Sequence, residues 1–144
     1  MDQRRVRTIV GVALGVLLVI GFGASRLLAG LPADGGGGPP PCDEAIAWDD
    51  AGAVVGRSAA VVGPVADATF APDVGGEPTF LNLGAAHPDP ERFDVVVYAD
   101  VRDGLAGPLE ERLVGRTVCV RGEVREREGV PQIVLDHPSL LTEQ

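Results

Sequence analysis

Arg116–Arg127 reads RTVCVRGEVRER, and after Glu128-Gly129 the chain resumes with Val130–Asp136, VPQIVLD. Val118, Val120 and Val124 alternate with Thr117, Cys119, Arg121, Glu123 and Arg125. Successive side chains of a strand point to opposite faces, so the valines form a core face and the others point away from it. Glu128-Gly129 is a hairpin turn, and Val130–Asp136 is the answering strand.

Working back from that hairpin, Leu105–Val114 is the one helix-patterned stretch deep in the chain, stopped by Gly115. Arg92–Asp100 alternates again: Phe93, Val95, Val97 and Ala99 share one face, and Asp94, Val96, Tyr98 and Asp100 the other. Thr79–Leu83 is a shorter strand, set between the Gly/Pro/acid turn Ala71–Pro78 and the loop Ala85–Glu91. Ser58–Phe70 is rich in Val and Ala but broken by Gly63-Pro64; proline cannot donate to a central ladder, so this strand must bend and serve two sheets. Asp43–Val55 is read as a short helix or turn over one end of the domain, ended by Gly56. Three strands, a helix and two strands make an all-β, five-stranded Greek-key barrel with a short helix between strands three and four. The core expected from the alternation is Val61, Val65, Leu81, Val95, Val97, Val118, Val120, Val124, Ile133 and Leu135.

The segments GRSAAVVGPV, PTFLNLG, HPDPERFDVVVYADVR and LVGRTVCVRGEVREREGVPQIVL resemble a bacterial family of small OB-fold domains described as nucleic-acid-binding. The resemblance runs over Gly56–Asp136, and some members of that family accompany nuclease domains. It implies an OB-fold and, as a ligand, single-stranded nucleic acid. Fold alone does not carry function, since such barrels host many unrelated ligands.

The N-terminal third is of another kind. Residues 1–7 are basic, with Arg4, Arg5 and Arg7; residues 8–31 are an apolar segment; residues 32–41, PADGGGGPPP, are a linker; residues 42–144 are the domain. From Thr8 to Ala24 no charge occurs. As a helix that run is about 26 Å long, and snorkelling of Arg26 extends it toward the roughly 30 Å of a bilayer core. Arginines before the run and acids after it put the N-terminus inside and the domain outside, at the cell membrane. A cleaved secretory signal is the competing reading, although no good small-x-small cleavage site follows. Gly11 and Gly15 form a G-x-x-x-G pair that two helices can share.

Charge sets further bounds. The whole chain carries −9. Of its twelve arginines four precede Cys42, and of its twenty-one acids only Asp2 and Asp34 do; eight arginines against nineteen carboxylates leave the domain at −11. There is no lysine. Such a field repels a phosphate backbone at long range. Cys42 and Cys119 are the only cysteines. Outside the cytoplasm two thiols pair, and a Cys42–Cys119 disulfide is expected, closing a long loop and stabilising by about 4 kcal/mol in the chain-entropy model. His87 and His137 stand at no metal-ligand spacing, so no metal site is expected, and no cofactor is implied. No nucleophile elbow, phosphate loop or dinucleotide fingerprint is present, and the chain is read as a non-catalytic protein.

The binding face of such a barrel is formed by strands two and three with neighbouring loops. The candidate ligand-binding residues are Asn82, Arg92, Tyr98, Arg102, Arg121, Arg125 and Gln132, with Tyr98 as the outward ring and Phe80 assigned to the core. The reading is a membrane-tethered extracytoplasmic OB-fold binding module for single-stranded nucleic acid. The alternatives are a protein-interaction or structural scaffold of an envelope complex, and an accessory domain that delivers substrate to a separate nuclease. A basic groove would favour the first, and an exposed apolar patch the scaffold.

Overall fold

A computed structural model describes residues Gly37–Gln144. The basic segment, the apolar helix expected over 8–31 and the start of the linker lie outside the described residues. Among the described residues no helix is long and apolar enough to cross a membrane.

The domain starts with a 3-10 turn at Cys42–Glu44, β1 at Ile46–Ala47 and a 3-10 helix at Trp48–Val54. Next come β2 (Ser58–Phe70), β3 (Thr79–Leu83), β4 (Phe93–Val97) and two single helical turns, α1 (Ala99–Arg102) and α2 (Leu109–Arg112). The chain closes with β5 (Thr117–Glu123), β6 (Arg125–Arg127), β7 (Val130–Val134), a 3-10 turn at Pro138–Leu140 and β8 (Leu141–Glu143).

The long β2 is the hinge of the architecture. From Ser58 to Pro64 it runs antiparallel to β5, and from Val65 to Phe70 antiparallel to β3, with a slip in register between Val65 and Asp67. Pro64 sits where the partner changes. It has no N–H to donate, and its carbonyl accepts from Gly84 instead. β3 pairs antiparallel with β4, β4 parallel with β7, and β7 antiparallel with β6. β5 runs into β6 through Val124, so the two flanks of the sheet path are one stretch of chain and the sheet curls into a partly open barrel.

Eight strands stand where five were expected. β6 is split from β5 at Val124, and β1 and β8 are additions that pair beside β2 and β5. The single helix expected over Leu105–Val114 is confined to α2, because Gly107 and Pro108 break the pattern before it; its Leu109, with the following Leu113, is fully buried. β4 ends at Val97, and Ala99 and Asp100 pass into α1.

All ten expected core residues are buried, and Phe93 and Leu83 join them at the centre. Trp48 packs against this cluster from the rim, its indole lying over Gly84, where φ is +78° and any side chain would run into the ring. Cys42 and Cys119 form a disulfide with Cα atoms 6.1 Å apart, tying the start of the domain to β5. Cys119 points away from the core and is nonetheless fully buried, covered by its bridge to Cys42, with β8 paired along the edge of β5 beside it.

Candidate functional site

The outer face of β3, β4 and β7 carries two parallel rows of side chains fixed by strand register. Asn82 pairs with Asp94 and Asp94 with Gln132, which makes a polar row across three strands. Two residues along, Phe80 pairs with Val96 and Val96 with Val134, which makes an apolar row. A cleft of about 290 Å³ opens over these rows. Its floor is Phe80, Asn82, Asp94 and Gln132, with Thr69 of β2 beside Phe80. One wall is His87 and Arg92 from the β3–β4 connection; the other is Arg127 and Glu128 at the β6–β7 hairpin.

The polar row is tied together from within. The Asn82 amide donates to Asp94 Oδ1 at 2.7 Å, and Arg92 Nε donates to the same oxygen at 2.8 Å. Arg92 also donates to the Asp89 carbonyl, so the guanidinium is held from two directions. Asn82 is 2% exposed, and the Arg92 and Asp94 side chains 11% and 13%. A largely buried network bonded within itself is rigid, which fits it to receive a ligand without reordering. At the opposite wall Glu128 and Gly129 both have positive φ, 53° and 81°. That is the geometry of a tight two-residue hairpin, and it holds a non-glycine residue in a sparsely populated region beside the cleft.

Arginine is the only cation available apart from histidine, and most of it is committed. Arg57, Arg102, Arg112 and Arg121 donate to backbone carbonyls, Arg112 also to Glu143, and Arg125 to Glu123. Among the described residues the guanidinium groups of Arg116 and Arg127 alone have no hydrogen-bond or ion-pair partner within the chain.

Of the seven candidate residues, the cleft brings together Asn82, Arg92 and Gln132. Tyr98 lies elsewhere, its ring against Gly76 of the β2–β3 loop. Arg102 lies over the Phe70 ring, 4.4 Å from its centroid, and bonds Glu77 O and Thr79 Oγ1. Arg121 is on the β2–β5–β8 side, where it donates to the Ser139 carbonyl and its Nε is buried without a partner. Arg125 pairs with Glu123 in the open, and its register partner Gln132 reaches the cleft while it does not. Phe80, assigned to the core, faces outward and forms the cleft's apolar floor, whereas Val96, assigned outward, is 3% exposed between Phe80 and Val134. His87, Arg127 and Glu128 also line the cleft, although loop and hairpin positions carry no periodic pattern that marks them. The signal that finds Phe80 is its phase: Thr79, Leu81 and Leu83 are all buried, so Phe80 and Asn82 must share the other face.

No family model matches the chain, and no curated protein does. Among solved structures it is similar to the S. pombe Stn1-Ten1 complex, at 16% identity and a TM-score of 0.45, over 61% of this chain and 58% of that one. It is similar also to the asparaginyl-tRNA synthetase from Pyrococcus horikoshii, at 18% identity and a TM-score of 0.45, over 68% of this chain and 22% of that one. The chain thus spans less than two thirds of the length of either. The class of domain is defined by the barrel's own strand order. A bent first strand shared between two halves, a parallel β4–β7 pair and a helical segment before β5 make the domain OB-fold-like.

Proposed function

We propose that this chain is a membrane-tethered, extracytoplasmic, non-catalytic binding module that takes its ligand in the β3–β4–β7 cleft. The observation that carries the reading is the prebuilt polar row Asn82–Asp94–Gln132 beside Phe80, on the face that barrels of this class use for ligands. The tether rests on the charge-free run after Arg4, Arg5 and Arg7 and on the acidic character of the domain beyond it. Single-stranded nucleic acid, the ligand of the bacterial family that the sequence resembles, would meet a −11 domain with two unengaged arginines. Its binding is expected to be weak and to fall steeply with salt.

A second reading, the envelope scaffold, is favoured by one observation. Phe70, Val74 and Tyr98 are the large apolar side chains left exposed around the β2–β3 loop, Val74 by half its surface. Such a patch suits a protein partner.

A Gln132→Cys chain tests the leading reading. On intact cells a membrane-impermeant maleimide should label it, and more slowly than it labels the purified chain, because the cleft is occupied. Labelling only after lysis would sink the tether, and equal rates in both settings would sink the occupied cleft.

A further inference from the structure

We infer that the cleft takes a neutral saccharide unit, a reading that rests on the cleft being the ligand site. Its formal charge is the first reason. Arg92 and Arg127 face Asp94 and Glu128, so a neutral cleft is set into a domain of −11. Arg92 is bound by Asp94 and the Asp89 carbonyl, which leaves Arg127 as the one arginine of the cleft without a partner. One such cation cannot follow a phosphate backbone, whose binding depends on several contacts that release counterions. A ligand without charge meets no such requirement.

The second reason is the pairing of the two rows. The Gln132 amide offers both donors and an acceptor, Asp94 keeps acceptor capacity beyond the Oδ1 held by Asn82 and Arg92, and Arg127 and Glu128 add donors and acceptors from the hairpin. Vicinal hydroxyls each donate and accept, and this mixed set answers them. Along the next row Phe80 supplies a flat apolar surface for the C–H face of a pyranose ring. Strand-binding platforms stack successive bases on several rings. Here the cleft has one, since Tyr98 lies against Gly76 outside it. About 290 Å³ is at the small end of ligand pockets and fits a short ring-by-ring ligand better than a polyanionic strand.

The test uses the full chain in a detergent without a sugar headgroup, titrated by calorimetry with cellohexaose, chitohexaose, maltohexaose and, separately, single-stranded oligothymidylate. At least one hexasaccharide should bind, with an affinity that changes less than about twofold between low and moderate salt, unlike a phosphate ligand. Gln132→Ala and Phe80→Leu should each weaken it by at least about fivefold, and the two together leave a check should either variant fold poorly. Binding of oligothymidylate, weakened by the same variants, with no hexasaccharide bound would overturn the saccharide and leave the cleft as the site. Saccharide binding indifferent to both variants would overturn the cleft itself. No binding by any of the three hexasaccharides also overturns the saccharide assignment.

Discussion

The barrel has two outer faces, and the protein treats them in opposite ways. On the β2–β5–β8 side, residues that point away from the core are shut in: Ala60 and Cys119 are fully buried, Arg121 is half-buried, and β1, β8 and the disulfide lie across or beside them. On the β3–β4–β7 side Asn82 and Val96 are buried as well, but the polar row is bonded within itself and lines a cleft through Phe80, Asp94 and Gln132. Both faces come from the same alternation of side chains. What separates them is where the extra chain at the two ends of the domain goes. The covered face becomes an extension of the core, and the open face is left free for a ligand.

The comparison breaks most visibly at the bridge. Replacing Cys42 and Cys119 together by Ala should lower stability by about 4 kcal/mol, and hydrogen exchange should quicken in β1 and β8 ahead of β4. A denaturation midpoint that hardly moves would mean that the cover is incidental. Next in size is the shared core. Val120→Ala on β5 should cost about 1–3 kcal/mol by urea unfolding, since Val120 is fully buried opposite Val61. A change of a few tenths would show the phase of β5 to be wrong.

On the open face Asp94→Ala should cost about 1–3 kcal/mol, because it strands the largely buried Asn82 amide and Arg92 guanidinium. Asp94→Asn, which keeps an acceptor, should cost less. The smallest effect is expected at Gln132→Ala, within about 0.5 kcal/mol of the parent, as for a surface position free of such features. Thermal unfolding checks it, and a large loss would make Gln132 a structural rather than a ligand-facing residue.

The barrel itself was legible because the strands announce themselves. Val118, Val120 and Val124 alternate over a run too long to mistake, and Gly63-Pro64 marks the bend at which β2 changes partner. The site was legible only in part. Alternation says that Arg121 and Gln132 both point outward, but it is silent on which outer face the chain ends will cover. Alternation alone therefore puts Arg121 in the site, whereas it lies beneath the Pro138–Leu140 turn. β8 has three residues, Leu141–Glu143, too few to show a period. Phe80 was lost to its hydrophobicity, although the burial of Leu81 and Leu83 puts it on the cleft side. Alternation places Asp94 only on the outward face, and it takes the register of β3 against β4 to bring it to Asn82 and Arg92.

The contrast between the faces is tested most directly by a photo-crosslinking benzophenone amino acid placed either at Gln132, on the open face, or at Thr142, on β8 beside the covered face. After irradiation of intact cells, the chain carrying it at Gln132 should capture ligand as a discrete shifted species, and the chain carrying it at Thr142 should not. Capture at Thr142 with none at Gln132 would contradict the account, because the binding face would then be the covered one.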